Sequence, residues 1–199
     1  LQQELESFGC EVRQLGVVPD DGREYERTLR GALEWADFVV TTAGVSVGEH
    51  DVVGRAVASL GGDVRFWRAK VRPGKPMLVA TFGEKPYFGL PGNPVSTCCN
   101  TEIFVKPYLR RKLGMEPAET PLIRMTLEED CPRDKARLFF VYADARLKNG
   151  EWVVRPLGHQ SSGNLWNAAR ANALVVLECG AEPARAGSIV RVLKIAPGR

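Results

Sequence analysis

The 199-residue sequence has no run approaching the roughly 20 consecutive apolar residues that a membrane-spanning helix requires, and no basic-then-apolar leader opens it. No membrane-spanning helix is expected within these residues, and a cytoplasmic location is expected. Cysteine is sparse: Cys10, Cys98, Cys99, Cys131 and Cys179 form no C-x-x-C pair and are odd in number, which argues against a disulfide framework and against a thiolate zinc site. Histidine is limited to His50 and His159, and His159 has no second metal-type residue beside it, so a structural role suits it better than ligation. A surplus of charge is also missing, the net being only +3. Nucleic acid and membrane surfaces are met by clustered basic faces rather than a slight excess, so neither partner is expected and any basic site has to be local.

What is present is enough apolar content, 44% of residues beside 26% charged, to pack one large or two small domains. Leu1, Leu5 and Phe8 share a helical face, the spacing of a helix entered partway, so the chain reads as beginning inside a domain. Residues 11–18 read as a strand and 19–22 as its loop. Residues 23–35 form a helix with Tyr25, Leu29, Ala32 and Leu33 on one face, and 37–42 a buried strand, together a βαβ unit. A helix over 52–60, strands over 65–71, 77–82 and 87–90, and a helix over 95–113 follow. The alternation predicts an α/β fold, a doubly wound and mostly parallel sheet, over residues 1–115. Beyond Gly114 the pattern changes to short β segments at 122–127, 138–147, 152–156, 173–177 and 188–195, a small all-β domain over residues 119–199.

Ligands of open parallel sheets bind beyond the carboxyl ends of strands, which directs attention to three loops. In the first, residues 41–51, Gly44 and Gly48 permit close backbone approach and the following helix offers unpaired N–H groups to an anion; a plain turn with Asp51 as N-cap fits the same residues. Asp20 and Asp51 each follow a strand, and adjacent parallel strands would set both on one rim. An anion is repelled there unless a cation intervenes, so Mg²⁺ with a phosphoryl ligand reconciles the loop's features, two solvated surface acids being the simpler alternative. In the second, Arg68, Lys70 and Arg72 alternate and would share one strand face, with Lys75 and Pro76 in the P-G-K-P turn that follows. Such a basic ridge also serves to protect an edge strand. In the third, Gly89, Pro91, Gly92, Asn93 and Pro94 lead a strand into a helix, with Asn93 at an N-cap and Pro94 at the first helical position; a rigid turn fits equally. The β region adds Arg137 and the donor-rich loop 158–163, suited to an oxyanion.

Taken in order, the G-V-S-V-G-E-H-D string at 44–51, the P-G-K-P turn, G-L-P-G-N-P-V-S at 89–96 and G-H-Q at 158–160 resemble the molybdopterin molybdotransferase family of bacterial MoeA and the gephyrin E domain. The resemblance runs along almost the whole chain. It implies an enzyme that inserts molybdate into adenylylated molybdopterin, releasing AMP with Mg²⁺ present, in molybdenum-cofactor biosynthesis, on a doubly wound domain followed by a β-barrel. It implies catalytic roles for Asp20, Asp51 and Lys75, with Asp20 and Asp51 on the metal side. Gly44, Ser46, Gly48, Glu49 and Arg68 would bind substrate; Ser46, Arg72, Lys75, Pro76, Arg137 and Ser162 would surround molybdate; Gly89, Pro91, Gly92, Asn93 and Pro94 would shape the pterin cleft. A homodimer is implied for the full-length protein, with a first strand and two further domains ahead of Leu1, without which a fragment is expected to turn over nothing.

The sequence departs from the family pattern at Ala43, where the first of two glycines is usual, at Arg68 and Arg72, where bacterial members carry lysine, and at Phe139, where a glutamate often follows the barrel arginine. Arginine keeps the charge and grips oxyanions bidentately. A non-catalytic binding scaffold like the gephyrin E domain is one alternative; the adenylyltransferase of the preceding step, which lacks the barrel, is another.

Overall fold

The computed structural model describes residues 1–45, 52–117, 119–161 and 163–195. They form two compact units, Leu1–Ala69 with Gly74–Asn93, and Lys70–Pro73 with Pro94–Arg199.

The first unit opens with a short helix, Gln2–Glu6 (α1), and a longer one, Gly22–Trp35 (α2). Asp21 starts α2 because its carboxylate accepts the Glu24 N–H at 2.9 Å, satisfying one donor that the first turn leaves over. Strand Val39–Thr42 (β1), helix Val52–Ser59 (α3), strand Asp63–Trp67 (β2), a two-residue strand Val71–Arg72 (β3) that belongs to the second unit, and strands Leu78–Phe82 (β4) and Lys85–Leu90 (β5) follow. The sheet order is β1-β5-β4-β2. Leu29, Val39, Val53, Val57, Leu78, Ala80 and Tyr87 fill the core between sheet and helices.

The α/β class stands, but within the described residues the sheet is mixed: β1 and β5 are parallel, while β4 runs antiparallel to both β5 and β2. The cause is local, since Gly83 at φ 60° and Glu84 close a two-residue turn that forces β4 and β5 into a hairpin. Residues 11–18 are not a strand. Gly16 turns to φ 78°, and Leu15 and Val17, 56% and 98% exposed, have no core to enter. The expected βαβ opening reduces to α2 and β1, and Asp20 follows an irregular segment rather than a strand end.

The basic ridge also does not form. β2 ends at Trp67, Arg68 takes φ 72°, and β3 leaves this sheet to pair with the barrel, so Arg68, Lys70 and Arg72 share no strand face. The chain folds back on itself instead, with Arg68 N–H donating to the Met77 carbonyl at 2.7 Å and Ala69 N–H to that of Lys75 at 3.0 Å.

The second unit carries the helices Pro94–Asn100 (α4) and Lys106–Lys112 (α5), joined without a break by a π-helical turn, Thr101–Val105. α4 rests on the short helix Leu165–Arg170 (α6), and the Tyr142 hydroxyl donates to the Val95 carbonyl at 2.8 Å, which ties α4 to the barrel. Strands Leu122–Leu127 (β6), Leu138–Lys148 (β7), Glu151–Pro156 (β8), Ala173–Leu177 (β9) and Ile189–Lys194 (β10) run in the order β7-β8-β6-β10-β9, and β9 pairs back on β7 to close a five-stranded barrel, with β3 added in parallel beside β7. The β7–β8 turn is the Asn149-Gly150 pair at φ 50° and 81° that the sequence signals. Met125, Leu127, Phe139, Val141, Val154, Val175, Leu177 and Val192 fill the interior.

Candidate functional site

At the carboxyl end of β1 the ladder with β5 continues one step further, Ala43 N–H donating to the Leu90 carbonyl at 3.1 Å. Ala43 and Gly44 then both enter the left-handed region, at φ 70° and 71°. Gly44 has no substitute on two counts, since a Cβ there would also stand 2.6 Å from Val53 Cγ2. On the neighbouring loop, a Cβ on Gly92 would meet the Ala43 Cβ at 2.9 Å, and one on Gly89 would meet Val45 Cγ1 at 2.6 Å. Gly89 and Gly92 are therefore required by the close passage of segments 43–45 and 89–92, and Gly44 by its own backbone conformation and the approach of Val53 on α3, packing reasons independent of any ligand. Below them Tyr87, fully buried, joins its hydroxyl to Thr41 at 2.6 Å and Tyr25 at 2.8 Å, and Trp67 Nε1 donates to the Val45 carbonyl at 3.4 Å. An alanine at position 43 bears strain in that conformation, which a glycine would not.

Pro91 is buried, Asn93 half-buried, and Pro94 opens α4. Lys75 and Pro76 are exposed in a turn where Gly74 takes φ 101°, and Arg68 and Asp20 are exposed as well. Ser46, Gly48, Glu49, Asp51 and Ser162 lie outside the described residues.

In the barrel unit the structure brings Arg72 and Arg137 together around a residue that the sequence reading missed, Asp134. Arg137 Nη2 donates to Asp134 Oδ2 at 2.7 Å, Arg72 Nη1 lies 3.5 Å from the same oxygen, and Oδ1 accepts the N–H groups of Ala136 and Arg137 at 3.0 Å each. The hydrogen bond from Arg137 leads the effects that hold the Asp134 carboxyl down to about 2, outweighing the cost of burial, with the Ala136 N–H assisting. Asp134 is an anion at any ordinary pH. The D-x-x-R spacing of 134–137, an aspartate that turns the chain onto its own N–H groups, is the sequence signal that could have revealed it. Phe139 takes part too: it faces Arg72 in the β3–β7 register, and the guanidinium sits 4.4 Å over its ring.

Beside this cluster opens a cleft of about 380 Å³, lined among others by Arg72, Phe139, His159, Gln160 and Ser161. The G-H-Q loop that forms one wall is fixed by amide side chains. Gln160 pairs with Tyr142 as a strand would, accepting its N–H at 3.0 Å and donating to its carbonyl at 3.0 Å, and donates also to the Leu157 carbonyl at 2.5 Å. Asn164 and Asn167 both donate to the His159 carbonyl, at 3.1 and 3.0 Å. Part of the donor wealth expected of this loop is thus engaged internally, while His159 and Ser161 remain exposed. Cys131, also at the cleft, has its thiol pushed up to about 11 by burial and is a poor nucleophile.

Two family models match in order: residues 1–111 match the probable molybdopterin binding domain, and residues 124–195 the MoeA C-terminal region (domain IV). A molybdopterin molybdenumtransferase of Nostoc sp. is 34% identical over 192 residues, covering 94% of this chain and 44% of the relative. One from Bacillus subtilis is 32% identical, covering 91% of this chain and 42% of the relative. The chain thus spans less than half the length of these curated relatives. Among solved structures, the molybdopterin biosynthesis MoeA protein of Pyrococcus horikosii superposes with a TM-score of 0.78 at 26% identity, over 96% of this chain and 46% of that one.

Proposed function

The chain belongs to the probable molybdopterin-binding-domain family, in the form that carries a MoeA C-terminal region, and from this premise we propose that it is the C-terminal part of a molybdopterin molybdotransferase. The whole protein, on this reading, inserts molybdate into adenylylated molybdopterin with release of AMP, in the cytoplasm and as a homodimer. The two family matches in the order and spacing of that enzyme carry the proposal, and the barrel match separates it from an adenylyltransferase lacking that region. The same matches support reading residues 1–115 and 119–199 as its two inherited segments. Among the described residues no helix is long and apolar enough to cross a membrane.

Within that reading Arg72, Arg137 and Ser162 bind the molybdate oxyanion from the barrel unit, because a dianion is held by several charge-assisted donors. Lys75, Pro76 and Arg68 are assigned to substrate as well. The loop from Gly44 through Ser46, Gly48 and Glu49 to Asp51 takes the adenylate phosphate, and Gly89, Pro91, Gly92, Asn93 and Pro94 border the pterin. Mg²⁺ is assigned to Asp20 and Asp51. Asp21 is engaged in capping α2, which leaves Asp20 as the available carboxylate of its loop, and no group of three acidic, histidine or cysteine side chains gathers among the described residues. A Mg²⁺ ion needs only one or two protein carboxylates when phosphate and water complete its shell, so two aspartates suit it. When bound it would neutralise phosphoryl charge.

Titration of the full-length protein with molybdate and with AMP tests the division of labour. Arg137→Ala is expected to weaken molybdate binding about tenfold or more, the scale of a lost charge-assisted hydrogen bond, and to leave AMP binding within about twofold. Equal losses for both ligands would refute the assignment.

A further inference from the structure

Arg72 and Arg137 come from separate stretches of chain, one on β3 and the other immediately ahead of β7, yet both guanidiniums reach a single oxygen of Asp134. Two like charges drawn this close repel each other unless an anion lies between them. Asp134 supplies that anion from a position only 9% exposed, with its other oxygen already occupied by two backbone N–H groups. Phe139 adds a flat apolar support under Arg72, and Arg72 also lines the neighbouring cleft. Each guanidinium has five N–H donors, so contact with Asp134 leaves most of them for another acceptor.

We propose that Asp134 is a positioning residue, which clasps Arg72 and Arg137 into one donor array for a tetrahedral oxyanion, with Phe139 fixing the plane of Arg72. The proposal rests on the oxyanion assignment above and adds to it the residue that makes two mutually repelling cations into one site. The competing account is that Asp134 only turns the chain at 134–137. Asp134→Asn separates the two, because an asparagine oxygen still accepts the Ala136 and Arg137 N–H groups while the charge that draws the guanidiniums in is gone.

The test is calorimetric titration of the full-length protein with sodium molybdate at constant ionic strength, on wild type and the variants Asp134→Asn, Asp134→Glu, Phe139→Leu, Arg72→Ala and Arg137→Ala, each checked by thermal melting. Asp134→Asn is expected to weaken molybdate about tenfold, a typical effect of one charge-assisted contact, and Asp134→Glu to recover part of the loss. Phe139→Leu, which keeps every charge, is expected to cost about threefold, as suits a cation–π support. In side-chain NMR the Arg72 and Arg137 Nε–H signals should lose their dispersion in Asp134→Asn, a change that a mere turn-forming role would not produce. Asp134→Asn within twofold of wild type, or binding more tightly because the carboxylate competes with the ligand, would overturn the proposal. Should that variant not fold, Phe139→Leu at wild-type affinity would overturn it alone. Wild type that binds no molybdate, or arginine variants that bind like wild type, would remove the oxyanion assignment itself and this inference with it.

Discussion

The two units fix their loops by opposite means. In the α/β unit the ends of β1 and β5 and the turns that follow them are shaped by what side chains lack: at Gly44, Gly89 and Gly92 a Cβ would be 2.6–2.9 Å from a neighbouring side chain. In the barrel unit the G-H-Q loop and the 134–137 turn are shaped by what side chains supply, with Gln160, Asn164, Asn167 and Asp134 each bonding to backbone groups. Loops of the first kind tolerate almost no substitution. Loops of the second kind can change contact by contact.

The strongest way to break this contrast is Gly44→Ala. Left-handed strain and the clash with Val53 Cγ2 together should cost about 3 kcal/mol, measured by denaturant unfolding. Next comes Gln160→Leu, which keeps volume but removes three hydrogen bonds, leaving the Tyr142 carbonyl with the Leu157 N–H. We expect a loss of about 2 kcal/mol and faster amide exchange in residues 157–161. A third test uses pH. Because the Asp134 carboxyl is lowered from 3.8 to about 2 in the folded protein, its contribution is fully present above pH 4 and disappears as pH falls towards 2. Wild type should lose on the order of 2 kcal/mol more than Asp134→Asn across that interval in acid unfolding. The smallest effect runs the other way: Ala43→Gly relieves a strained φ of 70° and should stabilise by about 0.5–1 kcal/mol, the strain released minus the backbone entropy that glycine adds.

The sequence was most legible where one periodicity holds over a full element. β6 and β9 fall at the expected residues 122–127 and 173–177, and the Asn149-Gly150 hairpin was readable from its two residues. It was least legible where tertiary partners decide. Residues 11–18 have strand-like composition but no strand to pair with among the described residues, and the alternation of Arg68, Lys70 and Arg72 was broken by a backbone reversal at Arg68. α6, only six residues long, carries exposed Leu165 and Trp166 and gave no usable pattern. Of the candidate site, Arg72 was visible as part of an expected basic ridge and Arg137 as an isolated cation, whereas Asp134 and the amide clamps were not, since their importance lies in contacts made across the fold.

The central claim, that this chain belongs to an enzyme that moves molybdenum onto molybdopterin, is tested most directly by incubating the full-length protein with adenylylated molybdopterin and measuring AMP release with and without molybdate. The account predicts release that depends on molybdate and is matched by molybdenum bound to the pterin, with both shifted together to higher molybdate concentration in Arg137→Ala. AMP release that is indifferent to molybdate, or molybdate-free protein that leaves the adenylylated pterin intact while the molybdate-loaded protein does the same, would contradict it.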